Sequence, residues 1–268
     1  MSHPARRLMG ILAHPDDESL GMGGALVKYA SEGADTYLLT ATRGERGRFG
    51  THAVSPGLDV VGKTREQELL AAAEILKIKE VAFLDYIDGD LDKASPHEVI
   101  AKISTHIRRV QPQVIVTFGP EGAYGHPDHI AISQFTTAAI VKAADPSFQT
   151  ENYAPFCVSK LYYMIWPPSK WEAYQAALKQ LSVTVDGNRR IATPYPDWVI
   201  TTKVNASAYW KTVWQAILCH QTQMGIYQNL ASLSDEQHIA LWGEQEFYRV
   251  FSLVNGGRQV EIDLFAGL

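Results

Sequence analysis

Short apolar runs alternate with longer amphipathic ones over the first half of the chain. LMGILA (8–13) is a continuous apolar run and reads as a fully buried strand. ESLGMGGALVKYASEG (18–33) reads as a helix, with Gly33 near its C-terminal end. DTYLLTAT (35–42) predicts a second strand. GKTREQELLAAAEILK (62–77) has helical periodicity, with Leu69, Ala72, Ala73 and Leu76 on one side. EVAFLD (80–85) predicts a third strand. In SPHEVIAKISTHIRRVQP (95–112), Ser95 is placed as N-cap and Pro96 at the first helical position. QVIVTFG (113–119) predicts a fourth strand, and residues 126–144 a further helix. Such alternation implies a Rossmann-like α/β fold: a mostly parallel sheet with helices on both faces.

The second half is less regular. Residues 160–166 and 197–204 read as strands, 207–223 as a helix and 246–254 as a late strand. The stretch 144–155 reads as an insertion, because nothing beyond it looks self-sufficient, so one domain over 1–268 is expected. The polar, glycine-rich segment 43–57 is too long for a bare connection and is expected to be functional.

Composition narrows the classes. The chain has 268 residues, 46% hydrophobic, which is enough for a sizeable core. A formal charge of −5 gives no general attraction to nucleic acid or anionic lipid. No apolar run approaches the roughly 20 residues of a membrane helix. The short N-terminal run ends in charge and does not read as a signal peptide. Two cysteines, Cys157 and Cys219, suggest no disulfide framework. A cytoplasmic protein acting on a small molecule is the expectation, with self-association left open.

In open α/β sheets, ligands bind beyond the carboxyl ends of the strands. His14, Asp16 and Asp17 sit at the end of the first strand and TRGE (42–45) at the end of the second. Asp85 and Asp88 follow the third, and GPEGAYGHPDH (119–129) the fourth. This edge offers His14, Asp17, His126 and His129 as metal ligands. Two imidazoles and a carboxylate suit zinc, with a fourth position open for water. Iron(II) or cobalt would accept the same ligands.

AHPDDE (13–18) together with GHPDH (125–129) resembles the two signature motifs of the LmbE-like, or PIG-L, de-N-acetylase superfamily. TRGERG (42–47), TREQELLAAAEIL (64–76), DGDL (88–91) and HQTQ (220–223) resemble further segments, so the likeness spans about residues 8–223. The resemblance implies removal of an acetyl group from an N-acetylglucosamine-type amide. It makes His14, Asp17 and His129 the zinc ligands and Asp16 the general base. His126 becomes the group that stabilises the oxyanion or protonates the leaving amine, with a protonated imidazole expected. Asp128 is expected to orient a histidine. Arg65 would grip a sugar hydroxyl or phosphate, Asp88 would accept sugar hydroxyls, Tyr124 would close over the intermediate, and Glu45 would belong to the substrate wall.

Plainer readings stand beside these. Asp16 or Asp17 would also serve as a helix cap. Arg65 has Glu66 and Glu68 as partners on its own helix, Asp88 lies in a turn sequence, and Tyr124 would pack as a loop aromatic. His3-Pro4 lacks acids behind it and is given no role. GMGG (21–24) lacks the spacing of a nucleotide loop and reads as close helix packing. His220 reads as a helix C-terminal partner, and His52, His97, His106 and His238 as surface or loop residues. The six tryptophans read as core or subunit contact. Two rivals to the deacetylase reading are an amidase acting on another amide of an amino-sugar thiol conjugate, and a non-catalytic sugar- or metal-binding relative.

Overall fold

Residues 5–52, 54–150, 152–178, 182–257 and 259–268 are described by the computed structural model. His3 therefore lies outside the described residues. The first half runs β1 (Arg7–Leu12), α1 (Asp17–Ser31), β2 (Asp35–Thr42), α2 (Leu58–Ile75) and β3 (Glu80–Tyr86). It continues α3 (Pro96–Val110), β4 (Val114–Phe118), a single turn α4 (Gly122–Gly125), α5 (Pro127–Ala144) and β5 (Lys160–Met164). These strands pair in parallel in the order β3-β2-β1-β4-β5. β1 is central, which is why Leu8, Ile11 and Leu12 are wholly buried and the run carries no alternating polar positions.

The order of the strands positions the site. From β1 the chain winds outward to β3, then crosses back to place β4 on the other side of β1. The loops after β1 and β4 thus diverge at a topological switch point, where doubly wound sheets open a crevice. Both histidine motifs lie there. Thr42 closes the neighbouring edge: its backbone N–H and its hydroxyl both donate to the Ala13 carbonyl, each at 3.0 Å.

The second half comprises α6 (Pro168–Leu178), β6 (Ser182–Val185), β7 (Asn188–Ile191), β8 (Thr202–Asn205), α7 (Trp210–Cys219), α8 (Met224–Tyr227), α9 (Asp235–Trp242) and β9 (Glu244–Ser252). β9 pairs antiparallel with β5, and β8 antiparallel with β9, completing a seven-stranded sheet. Here sequence expectations are corrected. The strand expected over 197–204 is confined to β8, because Asp197–Val199 forms a 3-10 turn. The helix expected over 207–223 is α7 flanked by single turns. The hairpin β6–β7 was legible and missed. TVDGNR carries a two-residue Asp-Gly turn with φ of 50° at Asp186 and 77° at Gly187, the left-handed pair of a tight hairpin.

GMGG does mark close packing, but its partner is the second half. A Cβ at Gly24 would lie 2.8 Å from the Ala206 Cβ and 3.2 Å from the Trp242 carbonyl oxygen. His238 is buried against Trp210 and accepts from the Trp242 indole N–H at 3.3 Å, so it is not a surface histidine. Trp198 is exposed, whereas Trp242 is fully buried. No described helix is long and apolar enough to cross a membrane.

Candidate active site

The turn after β1 is built around Asp17. Its Oδ2 accepts from the backbone N–H groups of Ala13 (3.2 Å) and His14 (2.8 Å). That leaves Oδ1 3.5 Å from His129 Nε2. His14 Nδ1 lies 3.1 Å from the same His129 nitrogen and 3.7 Å from Asp17 Oδ2. A tetrahedral ion bound at about 2.0–2.2 Å requires donor separations of about 3.3–3.6 Å. The spacings about His129 Nε2, 3.1 Å to His14 Nδ1 and 3.5 Å to Asp17 Oδ1, lie close to that range, so this donor set fits one divalent ion. The other ring nitrogen of His14 is 3.1 Å from both Asp128 Oδ2 and Asp88 Oδ1. A carboxylate at the distal nitrogen fixes the ring and its tautomer, leaving Nδ1 as the donor. Asp88 and Asp128 therefore hold His14 from the ring nitrogen opposite the one that faces His129. A nitrogen of His126 also lies within 4.8 Å of donor atoms of His14 and His129.

GHPDH forms the second turn. His126 is the N-cap of α5, its Nδ1 accepting from the Asp128 N–H at 3.2 Å, and Pro127 opens the helix. Asp128 is fully buried. Its carboxylate accepts from Gly89 N (2.7 Å) and Leu91 N (3.2 Å) as well as His14, tying the loop after β3 to both histidine motifs.

Asp16 faces differently from its neighbour because its backbone is left-handed, with φ of 101°. Such a conformation costs a non-glycine residue about 1–3 kcal/mol and persists only where surroundings enforce it. Here its N–H donates to Glu18 Oε2 at 2.9 Å, and its Oδ2 accepts from Arg65 Nη2 at 3.2 Å and the Tyr227 hydroxyl at 2.9 Å. Glu18 in turn holds His220 Nε2 at 2.9 Å, both side chains wholly buried. Sequence reasoning missed Tyr227 and set Glu18 and His220 aside. Tyr227 and His220 are lone residues far along the chain from their partners, with only the HQTQ likeness pointing near them, whereas Glu18 closes AHPDDE and had no task assigned. The rest of that segment is a clamp: Thr222 donates to Glu68 from its N–H and its hydroxyl, each at 2.7 Å, and Gln223 Nε2 donates to the Arg48 carbonyl at 2.8 Å.

Arg65 is committed to protein groups. Besides Asp16 it donates to the Pro15 carbonyl and, at 2.9 Å, to the Gly44 carbonyl. Its helix neighbours Glu66 and Glu68 pair instead with Arg43 and Thr222. The glycines of TRGERG make room for it, since a Cβ at Gly44 or Gly47 would overlap Arg65 Nη1. Gly44 also has φ of 68°. Gly44→Ala is therefore expected to destabilise the fold by about 1–3 kcal/mol and to lower kcat through Arg65 and Asp16. Denaturant unfolding beside steady-state kinetics checks this; a variant equal to the parent in both would refute the packing argument.

The remaining residues divide. A cavity of about 650 Å³ is lined by His14, Asp16, Asp17, Arg65, Asp88, Tyr124, His126 and His129, with Trp166, Tyr174, Gln223 and Tyr227 from the second half and Arg46 and Arg48 from the 43–57 loop. Tyr124 lies on a strained turn, with φ of 63° at Ala123 between Gly122 and Gly125, and its ring meets His129 edge-on at 5.3 Å. Asp88 lines the cavity while contacting His14. Glu45 differs from expectation. Its carboxylate accepts from Asp88 N at 3.0 Å and Arg43 N at 3.4 Å, bracing the loop, and it is not among the lining residues.

Burial and charge set the protonation pattern of the apoprotein. Burial opposes charge on His14, but Asp88, Asp128 and Asp17 override it and hold its pKa well above the ordinary value. Burial pushes Asp17 up to about 7, with the His14 charge opposing and Asp16 reinforcing. Burial and the neighbouring His14 charge lower His126 to about 4 and His129 well below the ordinary range. Burial opposes the lowered pKa of Asp88, which the His14 charge and hydrogen bond produce.

A sequence profile of the family described as PIG-L, GlcNAc-PI de-N-acetylase, matches residues 9–140. A 1D-myo-inositol 2-acetamido-2-deoxy-alpha-D-glucopyranoside deacetylase of Kineococcus radiotolerans is 34% identical, over 98% of this chain and 83% of its own. The chain belongs to the PIG-L family. Among solved structures, a conserved protein of Thermus thermophilus superposes with a TM-score of 0.65 at 25% identity, covering 93% of this chain and 96% of that one. A 4-carboxy-2-hydroxymuconate hydratase of Pseudomonas putida shares the fold at 18% identity, with a TM-score of 0.70 over 94% of this chain and 99% of that one. Its different reaction makes plain that the site, not the PIG-L fold, must carry a functional argument.

Proposed function

We propose that the protein hydrolyses the N-acetyl amide of an N-acetylglucosamine-type sugar, with His14, Asp17 and His129 holding one divalent ion. The observation that carries this reading is the split between adjacent acids. Asp17 Oδ1 and His14 Nδ1 lie 3.5 and 3.1 Å from the same His129 nitrogen, while Asp16 is turned onto Arg65 and Tyr227. Two imidazoles and a carboxylate make zinc the assigned metal. An ion bound there supplies Lewis-acid activation of a water and of the acetyl carbonyl.

The chain's own groups do the rest. Asp16 takes the proton from water as the water oxygen adds to the carbonyl carbon. Because His126 Nδ1 accepts the Asp128 N–H, the neutral ring carries its proton on Nε2. His126 donates from Nε2 to the developing oxyanion. Asp16 then returns the proton to nitrogen as the C–N bond breaks, releasing acetate and a free amine. Asp128 holds His14, and Tyr124 and Asp88 meet the sugar. Residues of both halves line one cavity, supporting one catalytic unit across the chain. Its volume suits a glycoside larger than the free amino sugar, so N-acetylglucosamine linked to inositol, the substrate type named for the Kineococcus relative, is the first conjugate to try.

The test is metal content together with acetate release from N-acetylglucosamine and its inositol conjugate. One tightly held divalent ion per chain and acetate release are expected; protein that binds no such ion and releases no acetate would overturn the reading. Affinity should also depend on pH. In the apoprotein His14 and Asp17 hold protons around neutrality, and the metal must displace them. Zinc affinity is expected to rise with pH between about 6 and 8, about tenfold per unit for each proton released. Calorimetry in buffers of different ionisation enthalpy counts those protons; flat affinity with no proton release would contradict the ligand set.

A further inference from the structure

We infer that Tyr227, on the single turn α8 far along the chain from the histidine motifs, is a positioning residue that holds the Asp16 carboxylate in one orientation. This rests on the reading of Asp16 as general base. Tyr227 is buried, and its hydroxyl donates to Asp16 Oδ2 at 2.9 Å. The Arg65 guanidinium meets the same oxygen at 3.2 Å. Both donors converge on Oδ2, and no described residue donates to Oδ1. One oxygen is tied down and the other is left for the water proton. Arg65 alone does not define the plane of the carboxylate, since its Nη2 is shared with the Pro15 carbonyl. A second donor on a separate element removes rotation about the Cβ–Cγ bond. Burial and the facing Asp16 carboxylate keep the phenol proton in place by raising its pKa well above the ordinary value, so Tyr227 remains a donor across the working pH range.

The placement also explains why the C-terminal half reaches into the site. Gly50 N donates to the Thr222 carbonyl at 2.7 Å, and Thr222 is fastened to Glu68 on α2, the helix that bears Arg65. α8 follows directly from that clamp, so the two donors to Oδ2 are set relative to each other by one hydrogen-bonded unit. A general base must lie within hydrogen-bond reach of its proton in a fixed pose, and small misplacement is costly.

Tyr227→Phe removes one oxygen atom and keeps the ring. With N-acetylglucosamine as probe, kcat is expected to fall about tenfold, with KM and bound zinc per chain unchanged; one lost hydrogen bond to a carboxylate accounts for a change of that order. Unchanged kcat, or a raised KM with kcat intact, would overturn the inference, the latter marking Tyr227 as a substrate contact. A measurement independent of turnover accompanies it. Unfolding equilibria of zinc-loaded parent, Tyr227→Phe, Asp16→Ala, which removes the acceptor, and the double variant form a cycle. Coupling of about tenfold or more in the unfolding constant is expected, and additive effects would overturn the positioning contact. A parent that releases no acetate from any N-acetyl sugar, with the coupling present, would defeat the deacetylase reading and leave the Tyr227–Asp16 contact standing.

Discussion

Asp16→Asn is expected to lower kcat by roughly 10²–10⁴-fold, the range for losing a general base, while zinc per chain and the unfolding midpoint stay near those of the parent. The geometry makes the separation clean. Oδ2 of Asp16 accepts from Tyr227 and Arg65, and an amide carbonyl can accept both. The side-chain NH₂ then falls where Oδ1 was, on the side that no described donor occupies, and cannot take a proton. The adjacent Asp17, whose Oδ2 accepts the Ala13 and His14 amides, is untouched. Initial rates of acetate release with metal analysis on the same sample check this. A variant that keeps parental kcat with full metal would remove Asp16 from the mechanism, and one that loses its metal would show that the two acids are not separable.

How much of this was legible follows from where each signal resides. The parallel core announces itself because central strands are continuous apolar runs, and the paired histidine motifs because each packs its donors into one turn. Strand order then brought the two turns together at the switch point without any contact having to be known. The second-half partners of Asp16 and Glu18 were not legible. Tyr227 and His220 are single side chains, 211 and 202 residues from Asp16 and Glu18, and nothing local distinguishes them from core aromatics or a helix-end histidine. Glu45 was placed on the wall because a polar loop near a strand end invites that reading, yet its carboxylate is spent on the backbone of the next loop. Arg65 was expected to face substrate; it lines the cavity while its guanidinium also rests against the loop, for which the glycines at 44 and 47 were the available signal. In the second half β6, β7 and β8 have only 4 residues each, so periodicity has too few positions to register, and the Asp-Gly hairpin had to be found by its turn.

His220→Ala is expected to cost about 3–5 kcal/mol of stability, because it strands the Glu18 carboxylate in a site with no exposure. Glu18 also accepts the Asp16 N–H and the Ser19 hydroxyl, so the loss should loosen the strained Asp16 backbone and lower kcat as well. The pH dependence of the parent carries the same signature. Burial opposes ionisation of both partners, but pairing lowers the Glu18 pKa below 4.5 and raises that of His220 above 6.5. A raised histidine stabilises fully below its unfolded value and fades as pH rises through the folded one. A lowered carboxylate stabilises fully above its unfolded value and fades as pH falls through the folded one. The pair therefore contributes most between about pH 4.5 and 6.5. In Glu18→Gln, which keeps an oxygen acceptor for the Asp16 N–H but loses the charge, the stability difference from the parent should be largest inside that window and shrink on the alkaline side. Denaturant titrations of both proteins from about pH 4.5 to 9 measure it. A difference independent of pH would mean that the buried pair is held by hydrogen bonding between neutral groups, and that its charge does not help to fix Asp16.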